Sequence, residues 1–375
     1  MRVGLLAADL SHAHGWAHYS LSLLLALRAA GADVTVIAAR NSPDVDGVAV
    51  HRLLPALVPA QRGLIAAQLR AVPAVRAALR GCAVVHAAVE PFALAAAWSA
   101  GGRPLFVTAH GSYTGLLARR RWPAGALYRR ALRRGTLLCV SHYTAQSAAA
   151  ALPGARAVVV ANGIDAARFA HLPPAAPKRG PTVLAVGAVK PRKGTLELVR
   201  ALAAVRRTIP DVQGVIVGAL DVEPGYTAQV RAEIAALGLA DSVRLAGHVP
   251  ERELLSWYGA ADVFALPARD VGGRFEGFGL AYLEAGAAGL PVIGTTDGGA
   301  ADAVEDGVTG LLLPPSQVAD ALPGAIVALL SDPARAAQMG AAGRARARAQ
   351  TWARAAQQTL ALYESSVGGR LGGEV

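Results

Sequence analysis

The chain has 375 residues, 53% of them apolar and 17% charged, with a formal net charge of +11. That length exceeds one ordinary core and points to two domains, and the composition excludes a globally disordered chain. The charge is lopsided: residues 1–175 hold 18 arginines and no lysine against 6 acidic residues, net +12, whereas the remainder holds 19 basic and 20 acidic residues, net −1.

The opening MRVGLLAADL is too short and too soon interrupted for a signal peptide. No uninterrupted apolar run reaches the ~18 residues that a membrane-spanning helix needs. In the first half, strands are expected over VGLLAA (3–8), DVTVIAA (33–39), AVVHAA (83–88), PLFVTA (104–109), TLLCVS (136–141) and AVVVAN (157–162). Helical patterns separate most of them, for example over residues 17–30 and 64–80. Cys82 and Cys139 each lie in an apolar run that reads as a strand, which fits buried reduced thiols in a cytoplasmic protein rather than a disulfide framework. No zinc-type Cys/His spacing occurs.

Residues 171–181, HLPPAAPKRGP, lack periodicity and read as a domain linker and closure hinge. The alternation then restarts with TVLAVG (182–187), VQGVIVG (212–218), SVRLAG (242–247), DVFALP (262–267), PVIGT (291–295) and GLLLPP (310–315), helices between them. A terminal helix over about residues 352–366 is expected to return to the first domain, and VGGRLGGEV to fray as a tail. The fold class is therefore α/β: two Rossmann-like domains facing a central cleft, residues 1–172 with the terminal helix and residues 178–350. Ligands of such sheets bind beyond the carboxyl ends of the strands.

Three glycine-containing turns sit where a strand gives way to a helix: SHAHGWAHYS (11–20), VGAVKPRKGT (186–195) and EGFGLAYLE (276–284). Glycine lets a backbone approach a ligand closely, and helix N-termini offer N–H groups to anions. Lys193, with Arg192 and Lys190 nearby, adds positive charge at the second turn. Together the turns point to a phosphate-bearing ligand. No GxGxxG follows the first strand and no GxxxxGK[ST] occurs, which disfavours a nicotinamide dehydrogenase or a P-loop nucleotidase. Glu276 and Glu284 lie eight positions apart, the first in a loop and the second about two helical turns on, and so reach different parts of one extended ligand. Acid/base work on one glycosidic bond would need carboxylates about 5–9 Å apart. The plainer alternative is one carboxylate near a helix dipole and one in solvent.

VGAVKPRKG, AGHVPERELLSWYGAADVFALPA (246–268), EGFGLAYLEAGAAGLPVIGT and EDGVTGLLLPP (305–315) resemble the nucleotide-sugar-binding domain of the retaining glycosyltransferases of family 4, which have the GT-B fold. VTAHGS (107–112), VSHYTAQ (140–146) and VVVANGIDAARF (158–169) extend the resemblance through the first half. The resemblance implies that Glu276 bonds hydroxyls of the donor sugar and Glu284 accepts from the ribose hydroxyls. Phe278, Gly279 and Leu280 would offer backbone N–H groups to the sugar and diphosphate, and Gly15 would bring a backbone N–H to the same diphosphate from the other domain. Lys193 would neutralise the leaving diphosphate, His110 would lie beside the reacting sugar, and His248 and Val249 would line the base. One position departs from the pattern. The family's arginine just after the strand glycine is Ala188 here, so Lys190 or Arg192 would have to replace it, Arg192 being the better fork for phosphate oxygens.

The implied activity is that of a hexosyltransferase moving a sugar, with retention, from a nucleotide-diphosphate donor (GDP-mannose or a UDP-sugar) to a hydroxyl acceptor, lipid-linked or soluble. The departing diphosphate would take the acceptor proton. No cofactor is implied beyond the nucleotide sugar as co-substrate, and the motif requires no metal. RDVGGRFEGFG (269–279) resembles lipid-mannosylating members, a pointer to GDP-mannose. A nucleotide-sugar epimerase of related fold and a catalytically inactive membrane-associated sugar-nucleotide-binding protein are the alternatives. His12, His14 and His18 invite a metal reading, but their spacing is loop-borne and no carboxylate accompanies them.

The run LLARRRWPAGALYRRALRR (116–134) carries Arg119, Arg120, Arg121, Arg129, Arg130, Arg133 and Arg134. It reads either as a solvated helix face or as an interfacial helix on an anionic membrane, anchored by Leu116, Leu117, Trp122, Leu127, Tyr128 and Leu132. The second reading would make the protein peripheral at the inner face of the membrane. Nucleic acid is disfavoured, because no stacking platform or nucleic-acid motif accompanies the charge.

Overall fold

The computed structural model describes residues 1–11, 14–57 and 63–371, which divide into two compact units, Met1–Gly163 with Trp352–Val375, and Ile164–Thr351. The apolar runs of the first unit become β1 (Arg2–Leu6), β2 (Asp33–Ala39), β3 (Val50–Leu54), β4 (Val84–Ala87), β5 (Leu105–Ala109), β6 (Thr136–Cys139) and β7 (Arg156–Val159). They form one parallel sheet in the order β3-β2-β1-β4-β5-β6-β7. Its central strands β4 and β5 are buried throughout, as helix-covered parallel strands must be. Cys82 and Cys139 are buried free thiols.

The second unit holds β8 (Thr182–Val186), β9 (Gln213–Val217), β10 (Val243–Gly247), β11 (Val263–Ala265), β12 (Val292–Thr295) and β13 (Gly310–Leu313). These pair in parallel in the order β10-β9-β8-β11-β12-β13. The order reverses between β8 and β11, which makes the crevice at their carboxyl ends the topological switch point of this sheet. Val183, Leu202, Ile216, Val263, Ile293 and Ile326 are central to its core.

The helix Trp352–Leu371 belongs to the first unit. Its Tyr363 hydroxyl lies 2.5 Å from His86 Nδ1, while His86 Nε2 lies 2.8 Å from Thr108 Oγ1, which in turn meets the Tyr19 hydroxyl at 3.0 Å. Burial holds the His86 imidazole down at about 3, so it is neutral and can both donate and accept in this chain.

Three expectations change. The crossing between units falls at Gly163/Ile164, not in the proline-rich stretch, because that stretch is fastened to the second unit. Ser256 Oγ donates to Pro174 O, Ala176 N to Ser256 O, and Lys178 pairs with Asp262 at 2.8 Å. The strand β3 was not expected, since an edge strand with polar His51 and Arg52 lacks an apolar run. The arginine-rich run is two helices, Tyr113–Ala118 and Ala124–Arg134, and it turns much of its apolar side inward. Leu117, Tyr128 and Leu132 are buried in the core and Leu127 packs against it, leaving Leu116 and Trp122 exposed together with Tyr113.

Candidate functional site

In the second unit the chemistry gathers at the switch point. After β8 the chain runs through Gly187 into a 3-10 turn, Pro191–Lys193, and then the helix Thr195–Val205. Gly187 has φ +146, and a Cβ there would lie 3.1 Å from Lys193 Cε. Glycine is what lets the lysine side chain fold back over the strand end. The turn is tied to the neighbouring strand's exit, Arg269 N donating to Arg192 O.

After β11 the loop carrying Glu276 is pinned from the β12 side, with Gly299 N donating to Glu276 O at 2.8 Å and a bridge between Glu276 and Gly298. Glu276 Oε2 then meets both cations, Lys193 Nζ at 2.7 Å and Arg192 Nη1 at 2.5 Å. Lys193 and Glu276 are only 12% and 14% exposed, so this is a desolvated pair and not a surface bridge. Burial alone would raise the Glu276 carboxyl, but the charges and hydrogen bonds of Lys193 and Arg192 outweigh it and hold it at about 2. Burial, with the Arg192 charge, lowers Lys193, and Glu276 works against that. Lys190 is lowered by burial and by its two cationic neighbours. Arg192 thus joins Lys193 on one carboxylate, near the position where Ala188 leaves no charge.

The helix Leu280–Ala288 opens on Gly279, whose φ of +80 and lack of a Cβ are both required, since a Cβ would sit 2.4 Å from the Tyr282 ring. No side chain caps this N-terminus, so its first turn is open to an anion. Phe278 is buried beneath it and Leu280 is half-buried. Glu284 lies just over one turn into the helix, closer than the two turns expected. Its Oε2 accepts from the Tyr258 hydroxyl at 2.8 Å, and burial raises its carboxyl although that hydrogen bond opposes the shift. His248 and Val249 follow β10 at the sheet edge, two strands from β8, and His248 is exposed. A groove of about 640 Å³ lined by Lys178, Arg179, Asp241, Arg244 and Trp257 lies at the opposite end, where β8 and β10 begin. The strand topology favours the carboxyl ends.

In the first unit, His110 closes β5. Its Nε2 lies 2.7 Å from Ala88 O, its backbone N–H donates to Glu90 Oε1 at 2.8 Å, and the Tyr19 ring packs edge-on at 4.5 Å. Burial holds the imidazole at about 4, partly offset by the Ala88 bond. Gly15 begins the helix Gly15–Ala29 and is exposed; a Cβ there would meet nothing within 4 Å, so internal packing does not demand glycine. His14 is spent as that helix's N-cap, Nδ1 accepting from Ala17 N and Nε2 meeting Asp9 at 2.8 Å, so a carboxylate does accompany this histidine, contrary to expectation. His12 lies outside the described residues. Among the described residues no group of three or more His, Cys, Asp or Glu side chains is placed to hold a metal ion.

Arg129 donates to Ala118 O, and Arg134 to Ala97 O and Gly101 O. These two hold the local backbone, and Arg119, Arg120, Arg121, Arg130, Arg133 and Arg134 are exposed. Among the described residues no helix is long and apolar enough to cross a membrane.

Glu90 is the residue that sequence reasoning missed. A lone carboxylate inside HAAVEPFALAAAW (86–98) was the available signal.

Residues 13–168 match the family model described as Glycosyltransferase Family 4, and residues 169–346 the model described as Glycosyl transferases group 1. The chain is 36% identical over 261 residues to a GDP-mannose-dependent alpha-(1-6)-phosphatidylinositol monomannoside mannosyltransferase of Mycolicibacterium smegmatis, spanning 65% of each protein. To the protein of the same description from Mycobacterium tuberculosis it is 36% identical over 275 residues, 68% of this chain and 69% of that one. Among solved structures, sucrose-phosphate synthase from Thermosynechococcus elongatus superposes with a TM-score of 0.80 at 25% identity, over 98% of this chain and 99% of that one.

Proposed function

Because the chain belongs to glycosyltransferase family 4, whose members take sugars from nucleotide donors, we propose that it transfers mannose from GDP-mannose to a hydroxyl of a lipid-linked acceptor, with retention at the anomeric carbon. The observation that carries the reading is the Lys193–Arg192–Glu276 cluster at the carboxyl ends of β8 and β11, beside an uncapped helix N-terminus. A leaving diphosphate needs such fixed positive charge, and a dry site makes it count. Lys193 and Arg192 receive the diphosphate, Arg192 taking the place of the arginine that Ala188 lacks, and Glu276 turns to the sugar hydroxyls. The Glu284 carboxylate takes the ribose. His110, in the first unit, is assigned to the reacting sugar. The acceptor hydroxyl attacks on the face the diphosphate leaves, and its proton passes to the diphosphate.

The donor is tested by thermal shift and calorimetry with GDP, UDP, ADP and their sugars. GDP and GDP-mannose should give the largest shifts, and Glu284→Ala should weaken GDP about 10-fold or more, the worth of a charge-assisted hydrogen bond. An unchanged affinity would remove Glu284 from the ribose; a preference for UDP would replace the donor.

For the acceptor, the phosphatidylinositol monomannoside named in the relatives' descriptions and the patch of Arg119, Arg120, Arg121, Arg130, Arg133 and exposed Trp122 support an anionic membrane at the inner face. Each arginine near such a surface is worth about 1 kcal/mol. Changing Arg119, Arg120 and Arg121 to serine should therefore lower cosedimentation with phosphatidylinositol-containing vesicles about 100-fold, with neutral vesicles binding weakly throughout. Equal binding of both proteins would discard the patch. Arg129→Ala, whose guanidinium holds the Ala118 carbonyl, should reduce melting temperature instead.

A further inference from the structure

The first unit holds a carboxylate with no role in the reading above. Glu90 follows β4 in the short 3-10 turn Glu90–Phe92 and is fully buried. Its Oε1 accepts from the His110 backbone N–H at 2.8 Å and faces Thr114 Oγ1 at 3.5 Å. Its Oε2 is buried and, among the described residues, has no hydrogen-bond partner. The other titratable groups that sense it are the Tyr19 hydroxyl and the Cys139 thiol, both pushed up mainly by burial and further by its charge. None of these is a cation. Burial therefore dominates and lifts the Glu90 carboxyl to about 7, against the hydrogen bonds that favour its charged form. A buried acid with one oxygen unmet costs stability, and such costs persist where they serve a site.

What Glu90 holds is the His110 turn. The Ala88 carbonyl can only accept, so the nitrogen beside it, Nε2, carries the ring proton. With the imidazole neutral, Nδ1 keeps its lone pair and is an acceptor. We propose that Glu90 is a positioning residue for His110: by fixing the His110 amide it aims the Nδ1 acceptor at a hydroxyl of the reacting sugar. The inference rests on the assignment of His110 to that sugar.

The test is kcat/KM against pH for the full-length protein and for Glu90→Gln, Glu90→Ala and His110→Ala. The wild-type profile should rise through about pH 7, as Glu90 ionises and its bond to the amide becomes charge-assisted. Glu90→Gln keeps an acceptor oxygen but cannot ionise, and should give a flat profile. Glu90→Ala frees the turn and should lose about 100-fold, as a misplacement of about 1 Å can. Stability supplies a readout of opposite sign. The folded-state value of Glu90 lies above its ordinary 4.5, so the folded protein binds the extra proton between about pH 4.5 and 7 and loses stability as pH rises through that window. The melting temperature of Glu90→Gln relative to wild type should therefore climb over the same window while its rate at pH 8 stays lower. If His110→Ala is impaired and the Glu90→Gln profile matches wild type in rate and shape, the proposal is wrong. Wild-type activity in His110→Ala would remove the His110 assignment and the proposal with it. Should Glu90→Ala fail to fold, the Glu90→Gln profile decides alone.

Discussion

Lys193→Ala is expected to lower kcat by roughly 10²–10³-fold, the usual cost of removing one fixed group that stabilises developing negative charge. The side chain is 12% exposed and sits 2.7 Å from Glu276, at the end of β8 where Gly187 gives it room. Its charge is therefore held in place in advance, and on the proposed role little reorganisation would be needed as the diphosphate leaves. The fold should survive, because Glu276 keeps its bond to Arg192 and is not left as a lone buried charge. Steady-state rates over a range of donor concentrations separate the possibilities. A fall in kcat and kcat/KM together would mark an interaction made in the transition state. A rise in KM with kcat unchanged would mean that Lys193 binds donor and transition state equally, and the leaving-group role would fall.

Much of the candidate site's placement was legible because strand–glycine–helix punctuation is local. β2 and β8 begin and β2 and β12 end where their β-branched runs do, and the turns carrying Lys193 and Glu276 follow β8 and β11 as expected. Sequence order also showed that the chain restarts, and so that two sheets exist. What it could not show was pairing between residues distant in the chain. Lys193 and Glu276 are 83 positions apart, and only the reversal of strand order between β8 and β11 brings their strand ends together. The same limit explains Arg192. As one of three cations in KPRK it was indistinguishable from Lys190 until the 3-10 turn aimed it at Glu276.

The failures have equally local causes. Proline-rich residues 171–181 look like a hinge because they have no period, but lack of period does not tell a free linker from a strap bonded to the helix Glu251–Ala260. In residues 116–134 the apolar residues were countable, yet the break between the two helices decided which of them face the core. Glu90 was passed over because its meaning depends on the amide of His110, twenty residues on.

Glu276→Gln should have opposite effects on two ligands of the same site. The carboxylate pairs with both cations that the proposed diphosphate would use. Its descent from an ordinary 4.5 to about 2 corresponds to ~3 kcal/mol of preference for the charged form, burial included. On the proposed reading, donor entry exchanges Glu276 for phosphate oxygens at Lys193 and Arg192 and releases the carboxylate toward the sugar. Removing its charge should tighten GDP binding about tenfold, which recovers only half of that energy. Transfer should fall about 10²-fold or more, since the sugar loses an ionised hydrogen-bond acceptor. The nucleotide sugar, gaining at the diphosphate and losing at the sugar, should no longer bind better than the bare nucleotide. A stability check has its own sign. Because the folded-state value is depressed, wild type owes stability to Glu276 above about pH 4.5 and loses it as pH falls toward 2, whereas the variant should not show that loss. Weaker GDP binding in the variant would mean that Glu276 orders the two cations for the diphosphate rather than competing with it, and the exchange would have to be abandoned.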